Sequence, residues 1–270
     1  MPPLLARIEG VGLLGPGLLD WARSQDILGG RSPYRLQATV LPVPEGLPPA
    51  ERRRVGQIVK IALAVGTQAI RDADANPTDL ASVFTSSGGD GQNCHEICRV
   101  LAQQDRQLSP TRFHNSVHNA AAGYWSIANG ATAPSNAVCA FDASFAAGLL
   151  EAITQVALEK RPVLLVAYDA AYPSPLDEKR PIADAFGVAL VLGPEREGQA
   201  LSSQEPSRAR IRVSLADAAA ECLTDPQLES LRASIPAARS LPLLIQLARR
   251  EPGRVGVEYL DGRSLAIEVL

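Results

Sequence analysis

Ala133 to Ala152, APSNAVCAFDASFAAGLLEA, changes pattern halfway along, and that change decides the fold. It begins with a Pro-Ser turn signal and runs through a strand of small residues from Asn136 to Phe141. At Asp142 it switches to an Ala-rich segment of helical period. A strand that turns directly into a helix leaves its junction residue facing the unpaired amides and positive dipole end of that helix. Enzymes often keep a nucleophile at such a junction. Here the junction holds Asp142, with Cys139 three residues upstream inside the strand.

Working outward, further strands and helices alternate. Arg7–Gly12 reads as a first strand ended by Gly15-Pro16-Gly17, and residues up to Pro49 are Pro- and Gly-rich surface wrapping. From Pro49, PAERRRVGQIVKIALAVGTQAIRDAD places Val55, Ile58, Val59, Ala62, Leu63 and Ile70 at helical spacing, which predicts one amphipathic helix. Ala81–Ser86 is a short strand, Ser87–Gly91 a turn, Gln92–Gln104 a second helix and Ser116–Asn129 a third. PVLLVAYD (162–169) and FGVALVL (186–192) are continuous apolar runs of strand length, the pattern of buried strands. The whole predicts an α/β layered sheet with helices on both faces. After Pro194, EREGQALSSQEPSRA reads as a linker. A strand at Ile211–Leu215, helices around Asp225–Ala233 and Leu241–Arg250, and a hairpin turning at Asp261-Gly262 follow it.

Composition removes several functional classes. The net charge is −3 and the pI about 5.7, so no basic field favours nucleic acid or an anionic membrane surface. The four cysteines are too sparse and irregular for a disulfide framework, and the start carries no charged region before a clean apolar run. A cytoplasmic protein is expected, with no apolar run near the ~20 residues of a membrane span.

RIEGVGLLGPG (7–17), SPTRFHNSVHNAAAGYWSIANGATAP (109–134), AFDASFAAGLLEA (140–152) and RPIADAFGVALVLG (180–193) occur in the order of a known family. The chain resembles the β-ketoacyl synthases of the thiolase-like superfamily, and more closely their short, chain-length-factor-like relatives. The resemblance covers roughly residues 5 to 195. It implies a thiolase-like half with a mixed five-stranded sheet layered between helices (1–195), plus a small C-terminal extension (196–270). It further implies an acyltransferase class at family level. The implied partners are a full-length ketosynthase and an acyl carrier protein, in a hetero- or homodimer.

Two departures accompany the matches. In register with the family, the nucleophile position falls on Asp142, and a carboxylate stabilised as the anion at a helix N-terminus attacks thioesters poorly. Family condensing enzymes also draw two histidines from their C-terminal half, whereas this chain has only His95, His114 and His118. The expectation is therefore a catalytically incomplete subunit of polyketide, fatty-acid-like or aryl polyene synthesis, with no cofactor and no metal. The simplest role for Asp142 is a helix N-cap and for Cys139 a small inert hydrophobe in a buried strand. The alternative makes Cys139 a displaced nucleophile, with His114 or His118 as base, in an acyltransferase or thioesterase. Phe113, Asn115, Asn119 and Phe145 are the candidate binding residues. The first three lie near the elbow and subunit contact, and Phe145 lies beside Asp142 at an acyl tunnel. The spacing Cys94-x3-Cys98 with His114-x3-His118 has the outline of a zinc site, but a segment inside a large α/β core needs no metal to fold.

Overall fold

The computed structural model describes residues 3–195, 209–218, 220 and 222–270, so the expected linker after Glu195 lies outside the described residues. Strand β1 (Leu4–Leu14) extends the expected first strand at both ends. It leads through the glycine turn to α1 (Trp21–Leu28), where the Asp20 carboxylate accepts from the Arg23 amide at 2.7 Å. The amphipathic stretch after Pro49 is two helices rather than the one expected, α2 (Pro49–Arg52) and α3 (Gln57–Asp72). The break falls at Gly56, which caps α3 in extended conformation with the Asp90 carboxylate close by, where a Cβ would stand 2.7 Å from it.

Strand β2 (Ala81–Thr85) is followed by α4 (Gly91–Leu101), α5 (Pro110–His114) and α6 (Ala120–Asn129). The expected third helix thus begins four residues late, and α5, started by Pro110 in its first turn, was missed. Strand β3 (Ser135–Val138) ends before Cys139, and α7 (Ser144–Glu159) follows a 3-10 turn at Phe141–Ala143. Next come β4 (Val163–Asp169), β5 (Phe186–Gly193), β6 (Ala209–Ala216), α8 (Pro226–Ser234), α9 (Leu241–Arg249), β7 (Gly253–Leu260) and β8 (Arg263–Val269).

Among the described residues all the strands belong to one eight-stranded mixed sheet in the order β3-β2-β4-β5-β1-β6-β8-β7. The five strands expected from the first half are joined by three from the C-terminal residues, because β6 pairs antiparallel with β1 from Leu4↔Val213 to Ile8↔Ala209. Along β4, Val163, Leu165 and Ala167 face one apolar layer while Leu164, Val166 and Tyr168 face the other. That is why its run is apolar throughout instead of alternating. Helices α3 and α6 cover one face, and α7 with α9 the other.

Close helix-to-sheet approach is built on glycine. A Cβ on Gly12 would stand 2.0 Å from the Val65 carbonyl oxygen of α3, and one on Gly148 of α7 2.7 Å from Thr85. Among the described residues one helical stretch, Phe141–Glu159, is long and apolar enough to cross a bilayer, contrary to the expectation that no run approached that length. Its Phe145, Leu149, Ile153 and Val156 are fully buried against the sheet. Each contributes on the order of 2 kcal/mol of apolar burial as a core residue.

Candidate functional site

Strands β2, β3 and β4 run parallel, so their C-terminal ends gather at one rim of the sheet. In open α/β sheets that rim is where ligands and catalytic groups collect. Thr85, Val138 and Asp169 end the three strands there, and the chain continues into Ser86-Ser87, Cys139 and Ala170 respectively.

Asp169 is the buried centre of this rim. Its Oδ1 accepts from the Ser87 amide (2.9 Å), the Ser87 hydroxyl (2.7 Å) and the Ser86 hydroxyl (3.2 Å). Its Oδ2 accepts from the Ala237 amide at 2.9 Å, which ties the C-terminal residues to the first-half sheet. The donors are all neutral, and burial pushes the carboxyl up to about 6 despite them.

Above it, the strand-to-helix elbow differs from expectation in three respects. Cys139 is exposed, because β3, which ends one residue earlier, is the open edge of the sheet and not a buried strand, and its thiol donates to the Ser87 carbonyl oxygen at 3.4 Å. Asp142 does not cap α7. The cap position is Ala143, with no side-chain bond to the first-turn amides, while the Ser144 hydroxyl accepts from the Ala140 amide at 3.0 Å. Instead, the two Asp142 oxygens are taken by guanidinium groups. Oδ1 pairs with Arg180, and Oδ2 accepts from Arg239 at 3.1 Å. Arg180 also lies 3.8 Å over the Phe141 ring, and Phe141 itself is held at φ +51°, a left-handed conformation that a bulky residue adopts only under surrounding constraint.

The ion pairs continue away from the elbow. Arg239 pairs with Glu258 on β7, Glu258 with Arg232 at 2.9 Å, and Arg232 with Glu229 at 2.7 Å. Arg232 is buried, and its hydrogen bonds hold the Glu229 carboxyl down at about 2. Asp142 is therefore the first member of a charged chain that binds the elbow to α8 and the terminal hairpin.

The remaining sequence candidates separate. Phe113 is 67% exposed on α5. Asn115 is buried and satisfies its surroundings, donating to the Arg54 carbonyl at 3.1 Å and accepting from the Tyr124 hydroxyl at 3.0 Å. Asn119 is exposed at the start of α6 and makes no side-chain cap. Phe145, expected beside a tunnel, is 1% exposed and packs into the core with Leu149. Cys94 and Cys98 are exposed on α4, and His118 Nε2 lies 3.1 Å from the Ser86 carbonyl oxygen.

Sequence reasoning missed Asp169, Arg180 and Arg239. Asp169 left one trace, a charged residue closing an otherwise apolar strand. The arginines left none, since they reach Asp142 from 38 and 97 residues away.

The β-ketoacyl synthase N-terminal domain model matches residues 20–248, well past the point where the sequence resemblance ended. No curated protein matches the chain. Among solved structures, a chain of the ketosynthase ApeO in complex with its chain length factor ApeC from Xenorhabdus doucetiae is similar, with 23% identity and TM-score 0.74. That match covers 98% of this chain and 99% of that one. The ishigamide ketosynthase/chain length factor gives 14% identity and TM-score 0.72 over 100% and 99% of the two chains. The AntDE:AntF structure, a type II polyketide acyl carrier protein with its ketosynthase, gives 12% and 0.72 over the same shares. At these identities the likeness speaks to the fold.

Proposed function

The chain belongs to the β-ketoacyl synthase family, and we propose that it is a non-condensing, chain-length-factor-like subunit that pairs with a full-length ketosynthase. In this reading it helps shape the acyl tunnel during aryl polyene or related type II polyketide synthesis on an acyl carrier protein. The family match runs from residue 20 to 248, and β6, β7 and β8 complete the same sheet, so the C-terminal strands are read as part of the ketosynthase-like unit rather than as a separate extension.

The observation that carries the reading is the fate of the nucleophile position. Asp142 has both oxygens engaged by Arg180 and Arg239, and a carboxylate so held is a poor nucleophile towards a thioester. The two histidines that a condensing enzyme draws from its second half have no counterpart after residue 118. What supports pairing is the outer edge of the sheet. Among the described residues β3 has a neighbour only in β2, and its Ser135, Asn136 and Ala137 are exposed. A bare edge of this kind offers backbone donors and acceptors to another strand. The matched complexes of ketosynthases with chain length factors support the same partner class.

The test is co-expression with a full-length ketosynthase. The two chains should copurify as a stable complex, and a well-folded chain that runs alone beside such an enzyme would sink the reading. The exposure of Cys139 favours a second reading, acyl transfer or thioester hydrolysis at that thiol. Intact-mass detection of an acyl adduct lost in Cys139→Ala is its signature; the first reading predicts no adduct.

A further inference from the structure

A second concave site lies away from the elbow, between α1, α8, α9 and the start of β7, and encloses about 250 Å³. Leu28, Leu228, Ile245 and Val255 line it with apolar surface. At its rim stand Arg249 and Arg254, both exposed, and neither side chain has a hydrogen bond or ion pair among the described residues. Most other arginines of the C-terminal region are committed: Arg232 and Arg239 to carboxylates, Arg250 to Gln25 and Arg263 to Asp217. Two uncommitted guanidinium groups thus stand on one cavity of mixed apolar and polar lining, where an outside anion can reach them.

We propose that this cavity binds a small monocarboxylate with a compact apolar body. Guanidinium groups take carboxylates through paired N–H donors, and the apolar lining accepts the body of the ligand. The charge is set by a third residue. Asp225 also lines the cavity, so among the described lining residues two arginines against one aspartate leave one net positive charge. One Asp225 oxygen already accepts from the Gln227 and Leu228 amides of α8, which fixes that carboxylate in place. A monoanion matches this balance better than a dianion such as phosphate. The volume suits an aromatic or short branched acid rather than a long acyl chain, which separates this site from any acyl tunnel at the elbow.

Isothermal titration calorimetry of the full chain with benzoate and hexanoate, against inorganic phosphate and hexylamine, tests the proposal. The carboxylates bind, phosphate binds at least ten-fold more weakly and hexylamine does not bind. Arg249→Ala combined with Arg254→Ala weakens the carboxylates at least ten-fold with an unchanged Tm, since both side chains are exposed and unpaired. Arg254→Lys, which keeps the charge and loses the fork, gives an intermediate loss. Failure of both carboxylates to bind at millimolar concentration, equal affinity for phosphate, or undiminished binding by the folded double variant would each overturn it.

Discussion

Asp142 and Asp169 occupy the same end of the sheet and solve the problem of a carboxylate inside a protein in opposite ways. Asp142 is one-third exposed and lies between two arginines, so its charge is balanced by charge. Asp169 is buried and meets only hydroxyls and amides, so its charge is balanced by dipoles. The first arrangement is tolerant, because water screens what the arginines do not reach. The second is demanding: an emptied site would leave Ser87 and Ala237 amides without partners in a dry interior. The elbow carboxylate is thus the forgiving one, and the residue behind it is the one on which the local fold depends.

The sharpest way to break this comparison is Asp169→Ala. At pH 4 it should cost about 4 kcal/mol, from two orphaned backbone donors and two displaced hydroxyls, measured by urea unfolding. A loss below about 1 kcal/mol would mean the site relaxes freely.

A pH series on the same pair comes next. The folded value of Asp169, about 6, lies above its ordinary 3.8, so the folded state holds a proton that the unfolded chain has released. Its contribution is therefore present in full below pH ~4 and is lost as pH rises through ~6, a change of about 3 kcal/mol. The gap between wild type and Asp169→Ala should narrow by that amount over this window. Glu229, held at about 2, has the opposite sign and acts only below pH ~4.5, so it does not contribute to the slope.

Asp142→Ala is a smaller perturbation. It removes a half-screened partner from two arginines and should cost about 1 kcal/mol, shrinking with added salt. A cost near that of Asp169→Ala would erase the distinction between the two sites. The smallest effect on stability is predicted for Phe113→Asp, within about 0.5 kcal/mol because the ring is 67% exposed. The same variant should weaken copurification with a ketosynthase if α5 lies in the subunit contact.

Much of the layered fold was legible in the chain. The apolar runs of β4 and β5, the helical spacing of α3 and the Asp261-Gly262 turn of the terminal hairpin each follow from local periodicity and turn chemistry. Element boundaries were less legible where a tertiary contact sets them. The break before α3 falls at Gly56, packed beside Asp90 from a distant loop, and Cys139 follows an exposed edge strand and meets Ser87. The number of strands was also hidden, since nothing local announces that β6 pairs with β1 some 200 residues earlier.

At the elbow the division is the same. The sequence by itself placed a strand, a turn and an Ala-rich helix around Asp142, and its register put a carboxylate where a family nucleophile is expected. Only the tertiary structure decided what that carboxylate does, because Arg180 and Arg239 come from segments remote in the chain and are brought to it by the sheet. Periodicity encodes which face of an element is buried, whereas ion pairs and buried polar contacts depend on which distant elements the packing sets side by side.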